Sequence, residues 1–107
     1  INTTKEALEL VERVDSRGFL LNLDVGTMLA CEEDCTELQG RVCLVNHVHI
    51  SEPGLKPVQK RALHQELKEI LQGEHYEGFV SIEMGKTEDG SLEPLRNAMS
   101  YVQSVFR

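Results

Sequence analysis

The chain has 107 residues, with 11 basic against 18 acidic side chains and a net charge of −7, a size that fits one small domain. The acidic balance, with a pI near 5.0, leaves no Lys/Arg patch of the kind a nucleic-acid duplex requires, and no apolar run approaches the roughly 20 residues needed to cross a bilayer. A composition 40% hydrophobic and 27% charged suits a folded soluble domain, and three cysteines, an odd number, suit a reducing cytoplasmic setting better than a disulfide framework.

Thr3 and Thr4 are good helix caps, and Glu6 stands three residues after Thr3, as in a capping box. Ala7, Leu10, Val11 and Val14 follow at helical spacing until the run 15–18, where Gly18 is available for a left-handed turn. The segment 19–25 reads as a strand: Phe19, Leu21, Leu23 and Val25 form an apolar parity, and Leu20, Asn22 and Asp24 one that turns polar. A weaker helical pattern covers 28–40, which would put Cys31 and Cys35 on one face. Glu32, Glu33 and Asp34 beside those thiols disfavour thiolates, so all three cysteines read as ordinary and reduced. The second strand is 43–50, with Val45, His47 and His49 on one face, and a loop with two prolines fills 51–57. The clearest helix is 58–72, closed by Gly73, and His64 within it reads as a partly exposed surface histidine. The third strand is 79–84, with Phe79, Ser81 and Glu83 on one parity. Ser91 caps a last helix whose Leu95, Met99, Val102 and Phe106 form one stripe.

The order is therefore αβαβαβα, about three strands alternating with about four helices. Short apolar strands between amphipathic helices argue for parallel β–α units with right-handed crossovers, an α/β fold in a single domain over 1–107. Each strand places its most chemically capable residue near its C-terminal end: Asp24, His49 and Glu83. In parallel α/β architectures ligands bind at that end. Two carboxylates and one imidazole suit a single divalent ion such as Mn²⁺, Co²⁺, Mg²⁺ or Zn²⁺. The plainer reading makes Asp24 a helix cap, His49 a satisfied buried histidine and Glu83 an exposed strand end. His47 lies two residues before His49, about 6.6 Å away along the strand, which suits packing or support more than a shared ligand role. Glu52 and Lys56 flank the Pro-Gly turn above His49, placed to touch a hydroxylated or anionic ligand or to remain solvated.

Three segments in this order and spacing resemble the C-terminal part of the xylose-isomerase-like TIM barrels, the sugar-phosphate isomerase/epimerase family. They are Leu20-Leu21-Asn22-Leu23-Asp24-Val25-Gly26, His47-Val48-His49-Ile50-Ser51-Glu52-Pro53 and Tyr76-Glu77-Gly78-Phe79-Val80-Ser81-Ile82-Glu83-Met84. The leading residues Asn2 to Leu8 resemble the helix before strand six of that family. The resemblance implies a partial (β/α) barrel comprising strands six to eight and their helices. It implies a divalent metal held by Asp24, His49 and Glu83, with Glu83 also transferring a proton at the carbon next to a carbonyl. Two departures stand out. The family commonly has a histidine three residues after the aspartate, where this chain has Thr27. Its remaining catalytic glutamate belongs to strand five, which would end just before Ile1, and a whole barrel needs roughly 250 residues.

The resemblance thus implies part of a metal-dependent sugar isomerase or epimerase, inactive as this isolated chain. The other reading is a non-catalytic half-barrel that binds or assembles. A half-polar open face and two unpaired parallel edges favour association, most simply a homodimer, with a small sugar-like ligand if the chain is active. The related abasic-site endonucleases use a zinc cluster with more histidines and a basic surface, which the −7 charge opposes.

Overall fold

The computed structural model describes residues 3–107; Ile1 and Asn2, and with them the start of the expected strand-six helix segment, lie outside the described residues. The elements run α1 (Thr4–Val14), β1 (Leu21–Asp24), α2 (Val25–Ala30), β2 (Val45–Ile50), α3 (Ala62–Gly73), β3 (Phe79–Ile82) and α4 (Glu93–Phe106). Short 3-10 turns occupy Thr36–Leu38, Val42–Leu44 and Pro53–Leu55. The three strands form one parallel sheet in chain order, β1-β2-β3. This is the α/β, partial-barrel arrangement expected from the alternation of short apolar strands and helices.

Alternation along each strand separates two faces. Leu23, Val48 and Ile50 are at most 1% exposed and meet Met28, Leu38 and Leu67 in the core beneath the helices. The opposite face carries Asn22, Asp24, His47, His49, Phe79 and Ser81, and none of these is buried. A register irregularity between Leu21 and Asn22 sets the pairing beyond it, aligning Asn22 with His47 and Asp24 with His49. On the other side of β2, His47 aligns with Phe79 and His49 with Ser81. The open face therefore carries two cross-strand rows, Asn22–His47–Phe79 and Asp24–His49–Ser81.

Local chemistry sets the element ends. Thr3 caps α1 by accepting from the Glu6 N–H at 3.2 Å, and its hydroxyl donates to Glu6 Oε1 at 3.1 Å. The left-handed residue that stops α1 is Asp15, at φ 49°, rather than Gly18. Residues 19 and 20 precede the first strand, and Val25, expected to end it, instead starts α2 because Asp24 caps that helix.

The helix expected over 28–40 ends at Ala30. Glu32 turns left-handed at φ 54°, and Asp34 accepts the Thr36 N–H at 2.9 Å, a local bond that competes with helix continuation. Cys31 and Cys35 consequently do not share a helix; Cys35 is buried and Cys31 exposed. Burial, with the Glu66 and Asp34 charges behind it, pushes the Cys35 thiol up to about 12.

Helix α3 begins at Ala62, not at residue 58. Pro57 disfavours helical geometry before it, and the amides beyond it bond elsewhere: Gln59 N–H donates to Glu52 at 3.4 Å and Arg61 N–H to the Tyr101 hydroxyl at 3.2 Å. The stripe on α4 divides. Val102 is buried against the sheet, while Leu95 and Met99 are 40% and 47% exposed. The cap position of α4 is Leu92 rather than the expected Ser91, which stands one residue before it and accepts the Glu93 N–H through Oγ at 3.2 Å.

Candidate functional site

Parallel pairing brings Asp24, His49 and the Ser81–Glu83 segment to the same end of the sheet. Glu83 extends the ladder by one bond beyond β3, its N–H donating to the Ile50 carbonyl at 3.0 Å. Its carboxylate reaches His49, with Oε2 3.3 Å from Nδ1. Both groups are accessible, the side chains of His49 and Glu83 being 28% and 49% exposed.

Asp24 does something different. Its Oδ1 accepts the Gly26 N–H at 3.0 Å and the Ser51 hydroxyl, and its Oδ2 accepts the Thr27 hydroxyl at 3.1 Å. Thr27, at the position where the resembled family has histidine, is thus part of the α2 cap. Ser51 Oγ also accepts the Gly26 N–H at 2.9 Å, and Gly26 is required there. A Cβ on it would meet Ser51 Oγ at 2.8 Å and the Glu52 carbonyl oxygen at 3.1 Å.

The donor set of Asp24, His49 and Glu83 suits a hard divalent ion chemically. Among the described residues no three His, Cys, Asp or Glu side chains gather closely enough to hold a metal. Of the three, His49 and Glu83 contact each other, while the Asp24 carboxylate carries the capping bonds of α2.

His47 packs beside the pair. Its ring stacks on His49 with centroids 4.4 Å apart and planes 17° apart, and its Nε2 lies 2.8 Å from Ser81 Oγ. Phe79, 78% exposed, lies tilted beside His47 with ring centroids 6.2 Å apart. Ser81 was legible in the sequence only as a strand residue of the right parity; its importance comes from pairing with β2.

Glu52 is not a solvated loop charge or an accessible ligand contact. It is 3% exposed and gripped by Arg61, whose Nε donates to Oε2 at 3.1 Å while the Nη2 donates to Oε1. Lys56 alone of the two flanking charges is exposed. His64 likewise departs from the surface reading: it is fully buried, with Nδ1 2.6 Å from the Tyr101 hydroxyl. Arg61, Glu52, His64 and Tyr101 form a polar knot that ties the loop after β2 to α3 and α4. Burial chiefly lowers the His64 pKa, and the Arg61 charge adds to this against the opposing pull of Glu52.

Hollows flank the strand ends without enclosing them. One of about 130 Å³ borders Asn22, Asp24 and Thr27, and one of about 440 Å³ lies between Ile82, Met84 and the start of α4 at Leu92 and Leu95. The site is thus an open polar shelf with a single carboxylate–imidazole pair at its rim.

No family model and no curated protein matches the chain. Among solved structures it is similar to D-psicose 3-epimerase from Clostridium cellulolyticum H10, crystallised with D-tagatose. The TM-score is 0.75 at 19% identity, and the match covers 100% of this chain and 45% of that one. The chain therefore has the fold of a fragment of that TIM-barrel enzyme and spans less than half its length.

Proposed function

We propose that this chain is the C-terminal portion of a sugar (phosphate) isomerase/epimerase-like barrel, contributing His49 and Glu83 to a site completed by other barrel strands. The observation that carries the reading is the convergence of His49 and Glu83 at the carboxyl ends of adjacent parallel strands, within a fold superposable along its whole length on an epimerase. Glu83 is the group that takes or returns a proton at a carbon next to a carbonyl, and His49 is placed to hold that carboxylate and a substrate hydroxyl. One such carboxylate serves one face of the carbon; inversion needs a second group on the opposite face. The isolated chain is accordingly proposed to be catalytically incompetent, and to work in the cytoplasm as part of a larger assembly.

A divalent ion held by Asp24, His49 and Glu83 remains part of the proposal only for the completed barrel. Within this chain Asp24 serves α2, so the chemistry above is derived from His49 and Glu83 alone. Titration calorimetry with Mn²⁺ on the wild type and on His49→Ala tests this. Little or no heat is expected at millimolar Mn²⁺. Tight binding of one ion per chain, abolished by His49→Ala, would overturn the assignment of Asp24 to the cap and make a complete three-ligand site.

The second reading is a non-catalytic half-barrel that associates through its open face. It is favoured by the 78% exposure of Phe79 on the edge strand of a sheet face that no helix covers among the described residues. Its partner is a second copy of the chain, most simply in a dimer.

A further inference from the structure

We infer that His47 and Ser81 are positioning residues that hold the imidazole of His49 in one orientation, with Glu83 setting its tautomer. The inference rests on the reading of His49 as a ligand-facing group and identifies what holds it there. Three contacts define the arrangement. Glu83 Oε2 stands 3.3 Å from His49 Nδ1, and that carboxylate favours the tautomer with its proton on Nδ1. The His47 ring lies nearly parallel against His49, 4.4 Å between centroids and 17° between planes. His47 is itself pinned through Nε2 to Ser81 Oγ at 2.8 Å.

The geometry restricts His49 in both available ways. A carboxylate at one ring nitrogen resists a flip about χ2, since the flip would present a carbon in place of Nδ1–H. A stacked ring resists tilting out of plane. Nε2 of His49, which has no hydrogen-bond partner among the described residues, is then the nitrogen offered to a ligand. Besides its proposed part in proton transfer, Glu83 orients the imidazole it contacts. Ser81 reaches the same ring through His47. The β2–β3 register makes this possible by setting His49 opposite Ser81 and His47 opposite Phe79, so that a serine on one strand serves the histidine one row back on the other.

The test is heteronuclear NMR of the free chain, reading the ¹⁵N shifts of both imidazoles and the ring-proton shifts of His49 near pH 8. In the wild type, His49 is expected to show a single tautomer, protonated at Nδ1, with ring protons displaced by the stacked neighbour. Ser81→Ala should shift the His47 nitrogens and reduce the ring displacement of His49, while backbone amide shifts elsewhere stay in place. Ser81→Thr, which restores a hydroxyl, should return the wild-type pattern. Glu83→Gln should move the His49 nitrogens and leave the His47–Ser81 contact intact. Averaged tautomers for His49 in the wild type would overturn the inference, as would a Ser81→Ala spectrum with both rings unchanged. These readouts are taken without metal or sugar, so their failure is separable from failure of the proposed barrel function, which the Mn²⁺ titration addresses.

Discussion

Asp24 joins three donors in one carboxylate: the Gly26 amide and the hydroxyls of Thr27 and Ser51. Replacing a helix-capping side chain by alanine typically costs about 1 kcal/mol, and here Ser51 loses a partner as well. Asp24→Ala should therefore lower unfolding free energy by about 1–2 kcal/mol in urea titration, with Asp24→Asn recovering part of it. A residue serving only as a metal ligand would leave the stability of the metal-free chain unchanged or raised. His64 supports a second expectation at this scale. Its folded pKa is lowered by burial, so the folded state resists taking up a proton that the unfolded chain accepts near pH 6.5. Stability should be full above that pH and decline as the pH falls below it. Asp34 and Asp89, held below the usual carboxylate range by hydrogen bonds from Thr36 and Ser91, add their own losses only in more acid solution. Denaturant midpoints between pH 7.5 and 5 should drop for the wild type and stay flatter for His64→Leu.

Among the elements, α4 shows how far periodicity reaches. Leu95, Met99, Val102 and Phe106 form one apolar stripe by spacing, yet only Val102 of these is buried. Spacing defines a stripe on a cylinder; how much of it a sheet covers depends on where the sheet stops, and here β3 is the edge strand. Leu95→Ala should accordingly change stability by no more than about 0.5 kcal/mol. Leu67→Ala on α3, where the side chain is fully buried, should cost about 2–5 kcal/mol. Thermal or urea unfolding of the two variants measures the contrast directly. The segment between α2 and β2 shows the opposite limit. An apparent helical pattern over 28–40 loses to a left-handed Glu32 and an Asp34 side chain that captures a backbone amide.

For the whole molecule, the decisive feature is a sheet covered by helices on one face only. Parallel sheets are ordinarily covered on both faces, and the uncovered face here carries Phe79 at 78% exposure beside polar Asn22, His47 and Ser81. If association covers it, sedimentation should show mass rising toward that of a dimer with concentration, and Phe79→Ser should shift the balance to monomer. A concentration-independent monomer would remove the assembly reading. The match to 45% of an epimerase chain describes the same asymmetry, because in a closed barrel such a face looks inward.

The sequence by itself determined the alternation of helices and strands, the parallel α/β class, and the placing of Asp24, His49 and Glu83 near the strand ends. These follow from period-2 and period-3.6 patterns and from short-range caps such as Thr3, which depend only on neighbours along the chain. Tertiary structure alone decided which of those residues act together. Strand register joined His49 to Glu83 and His47 to Ser81, and packing buried Glu52 and His64 together with Arg61 and Tyr101 from distant parts of the chain. It also gave Asp24 to the helix that starts beside it. Side-chain partnership across elements depends on register and burial, and a linear pattern carries neither.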